Sequence, residues 1–433
     1  MIEIVGNVIQ CSSFSLAQLI VGRLVSGFGF GLVTATAPNW QSECASAGHR
    51  GAAVLCESIF ISAGLAVAGW VTLGLSFAPG TVAWRFPLAF CIVFALTFLF
   101  TTSLFPESPR WLVKHGRVED AKYALGALDD LPEDSVEVQA QFDEIQESLR
   151  ITGKARFRDI FTNGEQRLFH RTCLASAGQI FQQMSGINAL AFYVNTIFEE
   201  YLGLTGQDAH ILGASVFTWQ TLCAPIGVLT VDRFGRRKLM LFAALGMGMC
   251  MAVVSGTSSQ TSNHSAVAAA GAFIFLFSLF FPIGFLGLTF LYASEISPLS
   301  HRVPITSIST GTAWLFNFLV AEITPVGFAT ISYRYEIVYA CINFFLIFPS
   351  KSYCSFDLYS RNAADCRQGV YFFWPETAGR HLEEVDQIFR DSNSIFDPVK
   401  VSRMLPQASL IEHERHEKAE NEAEKVEHVE SNP

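Results

Sequence analysis

Four carboxamides crowd one apolar stretch of this chain: Gln179, Gln182 and Gln183 fall within about one helical turn, and Asn188 lies a further turn and a half along. An amide both donates and accepts hydrogen bonds, so a group of them suits a ligand bristling with hydroxyls. Amides in an apolar helix are costly unless used; the other use is to join helices to one another. A second set of residues is charged. Glu43 with Arg50, Glu107 with Arg110, Asp232 with Arg236 or Arg237, Glu295 with Arg302, and Glu376 with Arg380 each sit at the end of an apolar run. Such pairs can hold neighbouring helix ends together and part when that side opens, or they can simply fix the ends in water. No grouping of nucleophile, base and orienting residue appears, so an enzyme is the least favoured reading. The ten cysteines show no metal-ligand spacing and most lie in apolar runs, where they read as packing residues; no metal and no cofactor are expected.

These residues need helices long enough to cross a bilayer. Half of the 433 residues are hydrophobic, 39 are Phe and only 16% are charged. Apolar blocks fall near 15–40, 52–77, 84–105, 171–198, 210–231, 239–257, 266–293 and 304–330, each about the 20 residues that span the hydrocarbon. Residues 1–12 read as the tail of an earlier helix and 335–349 as the start of a last one. The blocks exclude a strand-alternating barrel, and the N-terminus lacks the basic segment and cleavage site of a signal peptide. Gly27, Gly29 and Gly31 lie inside a span with no preceding strand, so they read as helix packing rather than a nucleotide loop. The net charge of −10 reflects acids clustered at 119–147 and after Glu376 and says little about a substrate; no nucleic acid is expected.

Lys and Arg set the orientation. Residues 107–171 hold ten of them, and Arg233, Arg236, Arg237 and Lys238 follow the span near 210–231; both regions are expected to be cytoplasmic. The connections at 76–83, 199–209 and 256–265 hold none and are expected outside, where Asn263-His264-Ser265 forms a glycosylation sequon. An internal repeat divides the chain. Ser42-Glu43, five residues and His49-Arg50 recur as Ser294-Glu295, five residues and His301-Arg302, and Pro106-Glu107-Ser108 recurs as Pro375-Glu376-Thr377. Two parallel halves of this kind place a ligand site at the bilayer midplane. The expected organisation is a first membrane half at 1–106, a helical cytoplasmic linker at 107–170 with a turn at Asp129-Asp130-Leu131-Pro132, a second membrane half at 171–375 and an acidic cytoplasmic tail at 376–433.

Gln182-Gln183-Met184-Ser185-Gly186-Ile187-Asn188, Asp232-Arg233-Phe234-Gly235-Arg236-Arg237, Pro106-Glu107-Ser108-Pro109-Arg110 and Pro375-Glu376-Thr377-Ala378-Gly379-Arg380 occur in order, each at the expected helix end. In these motifs the chain resembles the sugar-porter branch of the major facilitator superfamily, nearest to fungal hexose transporters, from residue 1 to about 390. The resemblance implies an all-α membrane fold in two halves, with about nine or ten of twelve helices present. It implies transport of a monosaccharide or polyol by alternating access, in a multi-pass protein of the plasma membrane, with proton coupling left open. It assigns sugar contacts to Gln182, Gln183, Asn188, Gln220 and Asn317, makes Phe192 and Tyr193 gate aromatics, and places Phe290 and Trp314 at the pocket. Departures from the family pattern are Ser58 for a usual Gln, Phe285 and Phe290 for usual Trp, and Ala313 for a usual Asn. A transporter-like nutrient sensor and an inactive gene product are the alternative readings.

Two expectations concern the ends of the membrane part. The first Glu-to-Arg motif begins only one full span from the N-terminus, so two helices and most of a third are expected to be missing and the 433 residues alone to be inactive. Residues 350–369 read as an insertion in the last helix: Glu295 to Pro375 is 80 residues where Glu43 to Pro106 is 63. That stretch holds Lys351, Asp357, Arg361, Asp365 and Arg367, each costing about 2.5–3.5 kcal/mol at the centre of a span.

Overall fold

Long apolar runs bounded by polar turns fold here as helices, because in a bilayer every backbone N–H and C=O must be satisfied within the segment. The computed structural model describes residues 1–44, 50–152, 156–164, 166–201, 203–260, 263–347, 374–377, 380, 382–392, 394 and 397–404. The first half contains α1 (Ile2–Cys11), α2 (Leu16–Cys44), α3 (Arg50–Ser76) and α4 (Val82–Thr102). Three short helices follow: α5 (Pro109–Lys114), α6 (Val118–Asp129) and α7 (Val136–Thr152). The second half contains α8 (Leu168–Gln183), α9 (Ile187–Thr196), α10 (Gly206–Phe234), α11 (Arg236–Ser258), α12 (His264–Gly284), α13 (Leu288–Glu295), α14 (Arg302–Ile331) and α15 (Arg334–Ile347). Two further helices, α16 (Leu382–Arg390) and α17 (Asp397–Met404), end the described chain.

Seven helical stretches are long and apolar enough to cross a membrane, with α12 and α13 counting as one, and no strand occurs among the described residues. The pair α8–α9 and the 14-residue α15 supply two shorter ones. All eight expected spans are therefore helical, and so are Ile2–Cys11 and Arg334–Ile347, where the sequence reading placed a tail and a start. Two of the eight are broken. The chain interrupts α8–α9 at Met184-Ser185-Gly186, where Gly186 takes φ +99°, and α12–α13 at Phe285-Leu286-Gly287. The suspected insertion at 350–369 and the acidic tail beyond residue 404 lie outside the described residues.

Burial sorts the spans by place. The helix α11 is enclosed by α12 and α15 and buries 14 of its residues, whereas α4 buries none and turns Phe94, Leu96, Phe98 and Phe100 outward. The apolar residues that α4 does not turn to α1 and α3 suit a lipid environment. Small residues bring backbones together: Gly6 lies against Ser26 where α1 meets α2, and Gly284 against Ala243 where α12 meets α11. The linker helices form their own small core from Leu112, Ala121, Ala124, Leu125, Val138 and Phe142. The predicted turn is present there, with α6 ending at Asp129 and Asp130 in the left-handed region at φ +54°.

Candidate functional site

The break between α8 and α9 gathers the amides. Gln183 Nε2 donates to Gln182 Oε1 at 3.2 Å, Asn188 Nδ2 donates to Gln183 Oε1, and Asn317 Nδ2 of α14 reaches the same oxygen at 3.4 Å. Four of the eight expected pocket residues are thus linked in one chain. Their duties differ. Gln182, 4% exposed, gives both amide hydrogens to the carbonyls of Phe285 and Leu286, each at 2.9 Å, and so helps close the α12–α13 break, where Phe285 also accepts from Thr289 Oγ1 at 3.3 Å. Asn188 and Asn317 retain carbonyl oxygens, and Gln183 one N–H, without a partner among the described residues.

The other four stand apart from that chain. Gln220 turns to α3 and donates to Ser62 Oγ at 3.3 Å. Tyr193 leaves helical geometry at φ −121° and donates to the Ala321 carbonyl at 3.1 Å. Phe290 lines a cavity of about 20 Å³ between α2, α8, α13 and α14, together with the fully buried Gln179, whose Nε2 has no partner. Trp314 meets Phe30 of α2 edge-on at 5.4 Å, a contact between the halves. Of the remaining positions singled out in the sequence, Phe192 is exposed, Phe285 is buried at the break, and Ser58 faces Gly287 so closely that a side chain there would collide with its hydroxyl. Asn263 of the sequon caps α12 by accepting from Ser265 N at 3.0 Å.

The charged residues pair across the motifs as well as within them. Arg236 binds Asp232 at 3.0 Å, as expected, and Glu295 at 2.8 Å; Glu295 is therefore taken by Arg236 and not by Arg302. Glu376, expected with Arg380, accepts the backbone N–H groups of Arg236 and Arg237 at 2.9 and 3.2 Å. The cause is the helix start: the first N–H groups of α11 have no partner in their own helix and present positive charge to a carboxylate. Gly235 admits it, with φ +84° and no side chain to displace a carboxyl only 2.8 Å from where a Cβ would be. Arg380 instead donates to the Ser402 carbonyl. Glu107 is exposed and forms no ion pair with Arg110 among the described residues, because Ser108 starts α5 between them and turns inward. Arg237 and Arg302 are buried, and the Arg50 side chain lies outside the described residues.

Three features went unread in the sequence. Ser108 Oγ donates to Glu43, and Thr377 Oγ1 donates to Glu295 at 2.6 Å, so the internal repeat preserves one hydroxyl-to-carboxylate bond in each half. The Pro-Glu-Ser and Pro-Glu-Thr triplets carried that signal. Arg171, fully buried, reaches Asp386 of α16 at 2.5 Å, the Ile296 carbonyl at 3.1 Å and the Phe389 ring at 4.3 Å. Asp159, near the end of the linker, meets His301 at 3.5 Å; the backbone N–H of Arg156 and then His301 hold its carboxyl below the usual carboxylate range. No group of His, Cys, Asp and Glu among the described residues is arranged to hold a metal.

Two halves of membrane helices, with broken helices meeting at a partly buried amide chain and acid–base clusters at one set of helix ends, define a secondary transporter. Residues 1–389 match the family described as "Sugar (and other) transporter", and the chain belongs to it. It is 36% identical over 417 residues to the MFS-type transporter oryC of Aspergillus oryzae, covering 94% of this chain and 74% of that one. It is 33% identical over 425 residues to the sugar transporter STL1 of Saccharomyces cerevisiae, covering 96% and 71%. Among solved structures it matches the proton:xylose symporter XylE bound to 6-bromo-6-deoxy-D-glucose, with a TM-score of 0.73 at 21% identity over 90% of this chain and 81% of that one. That likeness extends the major-facilitator fold across both halves.

Proposed function

We propose that this protein carries a monosaccharide or related polyol across the plasma membrane by alternating access, with Gln183, Asn188 and Asn317 meeting the substrate's hydroxyls. The observation that carries the reading is the amide chain at the α8–α9 break, where three side chains from three helices keep unspent hydrogen-bonding groups. Gln182 acts from behind, holding the α12–α13 break in place, and Gln220, Tyr193, Phe290 and Trp314 complete the wall as the halves close. In this reading residues 1–106 and 171–375 are the two membrane halves. The linker 107–170 and the tail 376–433 face the cytoplasm, and the cluster around Arg236 locks that side. STL1 is named for sugar transport, and XylE for xylose with protons, which agrees with a hydroxylated substrate.

The test is equilibrium binding of a panel of radiolabelled monosaccharides and polyols to the purified protein in nanodiscs, with uptake into cells lacking their own hexose carriers alongside. One member of the panel is expected to bind. Asn188→Ala is expected to weaken it by about 1–3 kcal/mol, the cost of an unpaired buried partner, without lowering thermal stability, whereas Gln182→Ala lowers both. Equal affinity in wild type, Gln183→Ala and Asn188→Ala would place the ligand elsewhere.

A further inference from the structure

Glu336 is a carboxyl that the transport reading above does not use. It lies in the first turn of α15 with 6% of its surface exposed, and its Oε2 has no hydrogen-bond partner within bonding geometry among the described residues. The space in front of it is a cavity of about 10 Å³ walled by α9, α11, α12, α14 and α15. Among the described residues no base lines that cavity. The other four helices contribute only apolar side chains, such as Leu190, Met251, Ile274 and Phe328, and α15 adds Tyr335 and Tyr339, the only other titratable groups among the described lining residues. Arg334, the nearest base along the chain, is exposed and lies over the Tyr333 ring at 5.9 Å. An ionised carboxylate in this place has no counter-charge, and an intramembrane acid without one marks an ion or proton site. A carboxylic acid carries no charge, and the buried Ser258 hydroxyl is the polar group beside it.

The same face of α15 leads to the amide chain. Tyr335 OH bonds Tyr339 OH at 2.6 Å and Thr324 Oγ1 at 3.0 Å. The Tyr339 ring packs against Gly186, close enough that a Cβ there would lie 3.1 Å from it, and Asn343 Nδ2 donates to the Ser185 carbonyl at 2.8 Å. Glu336, Tyr339 and Asn343 are spaced by three and four residues, so one helical face connects the acid to the α8–α9 break. We infer that Glu336 is a proton-binding site of the second half, loaded from the side of the α14–α15 turn, whose protonation is felt at the α8–α9 break through the Tyr335–Tyr339 face. The step is a bare protonation: the carboxylate takes one proton from water to become the acid, and returns it when water reaches the cavity. The inference rests on the transport reading, because it makes substrate binding and proton binding share the same break.

The proton itself is the probe. Infrared spectra of the purified protein in nanodiscs, recorded as pH is stepped, should contain a protonated-carboxyl band that is lost in Glu336→Gln and shifted in Glu336→Asp. Protection of peptides covering 184–190, taken as the exchange rate relative to the intrinsic rate at each pH, should change with pH in wild type, be fixed at its acid value in Glu336→Gln, and lose its pH dependence in Tyr339→Phe while the carboxyl band persists. A band unchanged in Glu336→Gln, or protection at 184–190 that is the same at every pH in wild type, overturns the proposal. Neither measurement contains sugar, so a negative sugar panel and a negative result here are separate failures.

Discussion

Gly235 shows how one residue serves two constraints. Its φ of +84° is open to glycine at little cost, and the missing side chain leaves the room that Glu376 needs to reach the first N–H groups of α11. Gly235→Ala is expected to cost about 1–3 kcal/mol through the backbone alone and to drive the Glu376 carboxyl off the helix end. The melting temperature of the purified protein should fall, and Glu376→Gln placed on top should add little further loss; full additivity of the two would show that they do not act together. At this scale the sequence was legible in kind and not in pairing. Asp232 with Arg236 follows from a separation of four residues within one turn region. Glu295 with Arg236, 59 residues apart, depends on how α11 and α13 approach, which no local spacing records. The Ser108 and Thr377 hydroxyls were in view as parts of the repeat, but a neutral donor to a carboxylate leaves no charge pattern to notice.

Among the elements, hydropathy located every expected span yet could not see where two of them break. The runs near 171–198 and 266–293 stay apolar through Gly186 and Gly287, and the break is made by backbone geometry and by the carbonyls that Gln182 satisfies. The α16 segment was equally hidden, since nine mostly polar residues carry no membrane signal. In the structure Val385, Ile388 and Phe389 are buried, and Arg171 clasps Asp386 from inside the bundle. Breaking a buried pair by removing one partner leaves the other charge uncompensated. Asp386→Ala is therefore expected to cost about 3 kcal/mol and to release α16 from α8. Hydrogen exchange over 382–390 should rise sharply while exchange in α10 and α11 stays as in wild type. Unchanged protection of 382–390 would mean that the apolar face alone holds the helix.

The whole molecule turns on the seam between its halves, and that seam runs along α3 and α10. Trp70 Nε1 donates to Thr218 Oγ1 at 2.9 Å, Gln220 donates to Ser62 Oγ at 3.3 Å, and Gly69 lies so close to Ala214 that a Cβ on it would be 3.3 Å from the alanine's. Small residues permit the approach, and the few polar bonds across it are of the kind that two helices in lipid can exchange. The internal repeat announced two halves, but it did not indicate which helices would meet, because the repeat describes each half by itself. Alternating access requires the halves to rock about a site between them, so the seam must change its contacts in each cycle. A Cβ separation near that of a natural disulfide, ~3.8 Å on average, makes Gly69→Cys with Ala214→Cys a direct test in a background where the exposed Cys91, Cys173 and Cys341 are replaced. Oxidation is expected to join α3 to α10 and to stop exchange of bound for free substrate across the membrane, with binding from one side retained and reductant restoring the cycle. Each single cysteine variant should behave as its background does. Continued transport in the cross-linked protein would show that α3 and α10 move as one body and that the halves part along another line.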